Sequence, residues 1–329
     1  MKLGGVGVHL VLLLGGVAAA AYVWTRDEKA TVAAVVGDVV VWPGRSQDVR
    51  RVSFEGKGKK VLLESKSDAS GRWFQGTAVT SPVAGDAAAP APGKTTTFVS
   101  VGAGEKVATG LAPLRASRDL GKIEDARAAE FGLDDPEGTL VVTVGDVEHR
   151  VAIGAPAPGG ADRYVREVAT GVVYATKGDF LRDLVTGEPA LAEHDLHGFK
   201  DGEIERIRVI AHGKTREVLR RGPEGKRIWA DPRDPEKADE TVTNWLAKVD
   251  RLRPGEYPEQ PSSPPEVVVR IEYTANGAPG AFVELAKEAP TASDAKPEYR
   301  VRTERTRLWA KVAAPLAEQV EQDATSVVP

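Results

Sequence analysis

The stretch YVREVATGVVYATKGDFLRDLV, Tyr164 to Val185, returns as YRVRTERTRLWAKVAAPLAEQV, Tyr299 to Val320, with few identical residues but the same order of apolar, charged and turn positions. Tyr164 and Tyr299, Tyr174 and Trp309, and Leu181 and Leu316 are each 135 residues apart. Each copy reads as a strand, a turn containing Gly or Thr, a second strand with a buried aromatic, and a short amphipathic helix. A unit of this size is a domain rather than a solenoid turn, so the repeat restricts the fold to two copies of one architecture.

The repeat extends upstream. VRRVSFEGKGKKVLLESK followed by GRWFQG has its echo in IERIRVIAHGKTREVLRRGPEGKRIWAD. Trp73 and Trp229 are 156 apart, as are Val52 and Arg208 on neighbouring strand positions. Both blocks predict a hairpin around a Gly-containing turn, then a strand carrying a tryptophan. Asp239 is placed to cap a helix whose Val242, Trp245, Leu246, Val249 and Leu252 recur at helical spacing. Val107, Leu111 and Leu114 offer the matching helix at an offset of 135, with Pro113 expected to shorten or bend it.

Between helix and closing strands each half carries a β-rich pair, TLVVTVGDVEHRVAIG and EVVVRIEYTANGAPGAFVELA, the latter around Asn276-Gly277. The offsets differ because SPVAGDAAAPAPGK lengthens the first half, and this Pro/Ala/Gly stretch predicts a surface loop over about 81–97. The expected fold class is therefore α+β. Two repeated domains, 31–190 and 204–329, each hold a mainly antiparallel sheet with one or two helices on one face, joined by a linker at 191–203.

Before the repeats, LGGVGVHLVLLLGGVAAAAYVW, Leu3 to Trp24, runs for 22 residues without a charge. As a helix rising about 1.5 Å per residue it is long enough to cross a bilayer core. Residues 1–30 are expected to form an uncleaved membrane anchor, although the small residues Ala18 to Ala21 also suit signal-peptide cleavage. Gly15, Gly16, Ala19 and Ala20 lie at i, i+4 spacing and form a candidate helix-packing face. His9 lies near the end of the span, within reach of the headgroups, and carries no expected role.

Chemistry is harder to find. The 44 Lys and Arg against 48 Asp and Glu leave a formal charge of −4 without a long single-sign run, so nucleic acid is not an expected partner. With no cysteine there is no thiolate metal site, disulfide or cysteine nucleophile. No Gly-x-x-x-x-Gly-Lys-Ser/Thr loop, dinucleotide fingerprint or Gly-x-Ser-x-Gly elbow is present. The expectation is no enzyme activity, no catalytic or metal residues and no cofactor.

Glu193, His194, Asp195 and His197 come nearest to a metal set, but they fall between the halves, outside any His-Glu-x-x-His pattern, and read as linker. In GLDDPEG, Gly132 is expected to end a short helix, Leu133 to pack back, Asp134 and Asp135 to solvate the turn and Pro136 to stop the helix. Trp73, Trp229, Trp245 and Trp309 are expected in the core.

EFGLDDP at Glu130 to Pro136, RYVREVATGVVYATKGDFLRDLV, and Trp229 followed by Lys237, Ala238, Asp239 and an amphipathic helix together resemble the bacterial domain-of-unknown-function family 4340. These are membrane-anchored proteins often encoded beside a gliding-motility-type ABC transporter. The second half departs from the pattern, with EQPSSPPEVVV where the first has GLDDPEGTLVV. The resemblance implies a single-pass protein of the bacterial inner membrane with its bulk in the periplasm. It further implies an accessory or scaffold that binds protein subunits of a transporter or motility-related envelope complex. The alternative is a ligand-binding module that takes a small molecule or glycan in the cleft between the repeats.

Overall fold

A computed structural model describes residues 35–80, 93–223, 226–275, 277–288 and 297–329. The expected anchor, with Gly15, Gly16, Ala19 and Ala20, lies outside these residues, as do His9 and most of the expected loop. Among the described residues no helix is long and apolar enough to cross a membrane.

Apolar residues at every second position dictate strands in both halves, because alternation places them on one face of a pleated ribbon. The first half runs β1 (Val35–Trp42), β2 (Val49–Gly56), β3 (Lys59–Asp68), β4 (Gly71–Thr80), β5 (Lys94–Ser100), α1 (Gly102–Leu111), β6 (Leu114–Lys122), β7 (Gly138–Val144), β8 (Val147–Pro156), β9 (Asp162–Glu167), β10 (Val172–Lys177), α2 (Asp179–Thr186) and α3 (Glu188–Leu191). The second runs β11 (Ile204–Ala211), β12 (Lys214–Arg221), β13 (Ile228–Ala230), α4 (Glu240–Val249), β14 (Glu266–Ala275), β15 (Ala278–Glu288), β16 (Glu298–Thr303), β17 (Ala310–Lys311) and α5 (Ala314–Val327).

Among the described residues these strands make a ten-stranded and a seven-stranded sheet, mostly antiparallel β-structure with a few helices. The seven-stranded order is β13-β12-β11-β14-β15-β16-β17. Seven neighbouring strands of the first sheet, β4-β3-β2-β7-β8-β9-β10, follow the same order. The first sheet adds β5 at one edge and β6 then β1 at the other. Where β6 pairs with β10, the second half has an irregular segment at 253–260. Its Gly255 N–H bonds Lys311 O at 2.9 Å, and its Glu256 O accepts from Lys311 N–H at 2.8 Å. Pro254 and Pro258 lack the N–H groups that a longer ladder requires.

Register is set by the turns. Lys57-Gly58 and His212-Gly213 both have positive φ at two successive positions, 46° and 74°, and 52° and 73°. That is the backbone of a two-residue hairpin whose twist matches its strands. The turns are 155 apart, and so are buried Val52 and Ile207, and Phe54 and Val209. Arg208 is therefore not the partner of Val52: it faces outward, one residue past the structural match.

The helix offset also needs correction. The buried residues of α1 are Gly104, Val107, Ala108 and Leu111, and those of α4 are Val242, Trp245, Leu246 and Val249. They match residue for residue at 138, not 135. Leu114 opens β6, and Pro113 lies beyond the helix end. In the closing strands, Val165 pairs with Tyr174 as Val301 pairs with Ala310, which makes the offset 136. Leu181 and Leu184 then match buried Ala317 and Val320, while Leu316 is only partly buried. Strand β5 begins at Lys94, inside the stretch expected as loop, and pairs with β4.

The helices cover one face of each sheet. Trp42 Nε1–H donates to Leu111 O at 2.7 Å, tying β1 to the end of α1. Trp245 Nε1–H donates to Val320 O at 2.9 Å, tying α4 to α5. Asp239 caps α4 as expected, accepting from Val242 N–H at 2.9 Å, a contact worth about 1 kcal/mol. Buried residues of both halves form one continuous apolar cluster. On the opposite face of the first sheet, Leu133 and Ala128 pack on Ala152 and Val173 as a separate small cluster.

Candidate functional site

The seam between the halves is where the alternative reading places a ligand. It is built by the chain at 191–203 and by the turn between β16 and β17. Leu191 and Leu196 anchor the connecting segment in the core, and Glu193 N–H donates to Val99 O of β5 at 2.7 Å. The Glu193 carboxylate, only 7 % exposed, pairs with Arg305 of the second half at 2.7 Å. The stretch expected as a plain polar linker is thus a packed part of the seam.

Arg307 adds a second crossing. Its guanidinium pairs with Asp68 and donates to Ser70 O at 2.9 Å, both at the β3–β4 turn of the first half. Arg307 sits in the left-handed region at φ 59°. At the offset of the closing strands its counterpart is Gly171, at φ 74°. The two turns close alike, Gly171 N–H on Glu167 O at 2.8 Å and Arg307 N–H on Thr303 O at 3.1 Å. Where the first copy uses glycine, which takes this conformation freely, the second accepts a strained arginine whose side chain spans the seam.

Glu304, one residue before Arg305, accepts from Gly198 N–H at 3.2 Å and Phe282 N–H at 3.1 Å, stitching the connecting segment to β15. Burial pushes its carboxyl above the usual range, opposed by these backbone bonds and by nearby His197. Burial, aided by the Glu193 carboxylate, likewise raises the phenol of Tyr257, whose hydroxyl has no hydrogen-bond partner among the described residues. His197 stacks on Phe199 with centroids 3.9 Å apart, and both lean on Tyr273.

The residues weighed for metal binding do not converge. His194 Nε2 lies 3.3 Å from Pro189 O, His197 Nδ1 lies 3.2 Å from Phe199 O, and Glu193 is held by Arg305. Among the described residues no group of three His, Cys, Asp or Glu side chains is placed to hold a metal ion. The GLDDP stretch is a corner. Gly132 is left-handed at φ 63°, Leu133 is buried and its N–H returns to Ala128 O at 2.9 Å. Trp73, Trp229, Trp245 and Trp309 are all buried. The candidate packing face at Gly15, Gly16, Ala19 and Ala20 lies outside the described residues.

Three surface cavities, of ≈ 580, 330 and 460 Å³, each lie within one half rather than at the seam. The second is walled by Arg206, Arg208 and Arg270 on the open face of the second sheet. These arginines are already matched, to Glu217 at 2.9 Å, to Glu272 at 3.5 Å, and to Glu284 together with Arg302. The face is a self-neutralised ladder, in which Arg270 also lies over Phe282 and Arg302 over Trp309.

Sequence reasoning missed Arg305 and Arg307. One signal was available: an arginine in TERTR at the turn position that the first copy gives to Gly171.

Neither a curated protein nor a solved structure matches the chain. A family model does match, over residues 103–306, from within α1, through the connecting segment and the Arg305–Glu193 crossing, to Thr306. That span is more than half of the chain and takes in strands of both sheets and the segment that connects them, so the chain belongs to the family described as Domain of unknown function (DUF4340).

Proposed function

We propose that this chain is a membrane-anchored, extracytoplasmic scaffold that binds protein subunits of an ABC-transporter or motility-related envelope complex. The uncharged run Leu3 to Trp24 supplies the anchor, and the resemblance carried by EFGLDDP and RYVREVATGVVYATKGDFLRDLV supplies the transporter setting. The observation that favours a scaffold over a ligand carrier is the closed seam. Arg305 on Glu193, Arg307 on Asp68 and Ser70, and one apolar cluster running through both halves occupy the space that a ligand between the repeats needs. A rigid two-lobed body presents fixed surfaces to partners, whereas a carrier that closes on its ligand depends on a free hinge.

The test is crosslinking and co-purification of the full-length chain from membranes. Permease or ATPase subunits of a transporter are expected in the purified complex. In a second arm, Gly16→Leu leaves insertion intact but weakens that association, because leucine fills the small-residue face. Recovery of the chain from the soluble fraction, or from membranes without transporter subunits, would refute the proposal.

A further inference from the structure

On the first sheet, the face opposite α1 and α2 carries an open cavity of ≈ 460 Å³ between β6, β9 and the loop joining β8 to β9. Its volume falls within the range of small-molecule sites, about 300–1,000 Å³. Ser117 and Arg118 come from β6, and Asp162 and Tyr164 from β9. The loop, at 157–161, closes the rim with Gly159 and Gly160 at positive φ. Strand pairing brings these groups together: Arg118 opposes Ala175 of β10, and Ala175 opposes Tyr164, so Arg118 and Tyr164 share one face.

The charges in this cavity are not spent on each other. On the neighbouring strand Arg163 is matched by Glu137, and on the second sheet Arg206 is matched by Glu217. Arg118 is exposed and makes no ion pair among the described residues. Asp162 holds the Ser117 hydroxyl through Oδ2, and among the described residues Oδ1 has no partner. Phe131 braces the Tyr164 ring edge-on, with centroids 5.0 Å apart and planes at 86°. The wall therefore offers a guanidinium fork, a hydroxyl–carboxylate pair and an aromatic ring around an open, polar hollow.

We propose that this cavity binds a saccharide carrying a carboxylate. Arg118 takes the sugar carboxylate as a planar fork. Ser117 Oγ and Asp162 Oδ1 accept hydrogen bonds from adjacent sugar hydroxyls. Tyr164 lies against the C–H face of the ring. The site belongs to the first half alone, because the second half has the irregular segment at 253–260 where β6 would supply the serine and arginine. It stands on this cavity and not on the scaffold reading above, so either can fail without the other.

The experiment is saturation-transfer NMR on the full-length chain in detergent, with a hexuronic-acid disaccharide and its neutral hexose counterpart as probes. The acidic disaccharide is expected to receive saturation, and the neutral one to bind at least about tenfold more weakly, the scale of one lost charge-assisted hydrogen bond. Arg118→Gln, at an exposed position, abolishes the preference without changing the melting temperature, and Ser117→Ala weakens both probes. No transfer to the acidic probe, equal transfer to both probes, a preference that survives Arg118→Gln, or displacement of the disaccharide by a free amino acid would each overturn the proposal.

Discussion

Arg307 holds a left-handed backbone conformation that costs an L-residue with a Cβ about 1 kcal/mol or more, and its side chain is 6 % exposed against the opposite half. Two substitutions separate these terms. Arg307→Ala loses the bridge to Asp68 and Ser70 and keeps the strain, while Arg307→Gly loses the bridge and relieves the strain. Both should lower the melting temperature of the chain, and alanine should be worse than glycine by about 1 kcal/mol. Equal melts for the two variants would mean that the turn is not strained. Trp229, 7 % exposed beneath Arg220, makes the second residue-scale case. Trp229→Ala is expected to cost about 3–5 kcal/mol in denaturant unfolding, as large-to-small core changes do. Those tryptophans were legible in the sequence because a large apolar side chain at an inward position has one stable place. The seam arginines were not, because an arginine in a turn reads as solvated until the opposite half is placed against it.

Elements differ in how their periods tolerate error. On a helix, a slip of three residues preserves the apolar stripe, so Val107, Leu111 and Leu114 imitate the pattern that Gly104, Ala108 and Leu111 satisfy. Only the end of α1 at Leu111 and the start of β6 remove the ambiguity. On strands a slip of one reverses the faces, and the likeness of Tyr174 to Trp309 produced such a slip. Tyr174 matches Ala310, while Trp309 lies under Arg302. The turn between β16 and β17 also carries a pH dependence. Burial raises the Glu304 carboxyl in the folded state, so folding favours its protonated form. That contribution is full below the ordinary glutamate pKa and is lost as pH rises through the raised value. Glu304→Gln sets an amide NH2 against one of the two backbone N–H groups that the carboxylate accepts from, so it should melt below the parent, by less at pH 7 than near pH 4. Melting curves across that range check the sign, and a variant that is less stable at pH 7 than at pH 4, relative to the parent, would contradict it.

The whole molecule is tied across its seam by charge pairs and by a continuous apolar cluster, so the two repeats should unfold as one cooperative unit. Calorimetry of the parent is expected to show a single transition, and the double variant Asp68→Asn, Glu193→Gln should separate it into two. Two transitions in the parent would show that the halves are independent. What the residues determined alone was the antiparallel α+β class, the repeat, the hairpins at Lys57-Gly58 and His212-Gly213, the Asp239 cap and the Gly132 corner. Each of these depends on neighbours a few positions apart, where backbone geometry and period-2 or period-3.6 patterning act directly. The tertiary structure decided the added strands β1, β5 and β6, the cavity beside Arg118 and Tyr164, and the closure of the seam. Arg307 and Asp68 are 239 residues apart, and a contact of that separation leaves no local pattern, since it exists only after both sheets have formed and met.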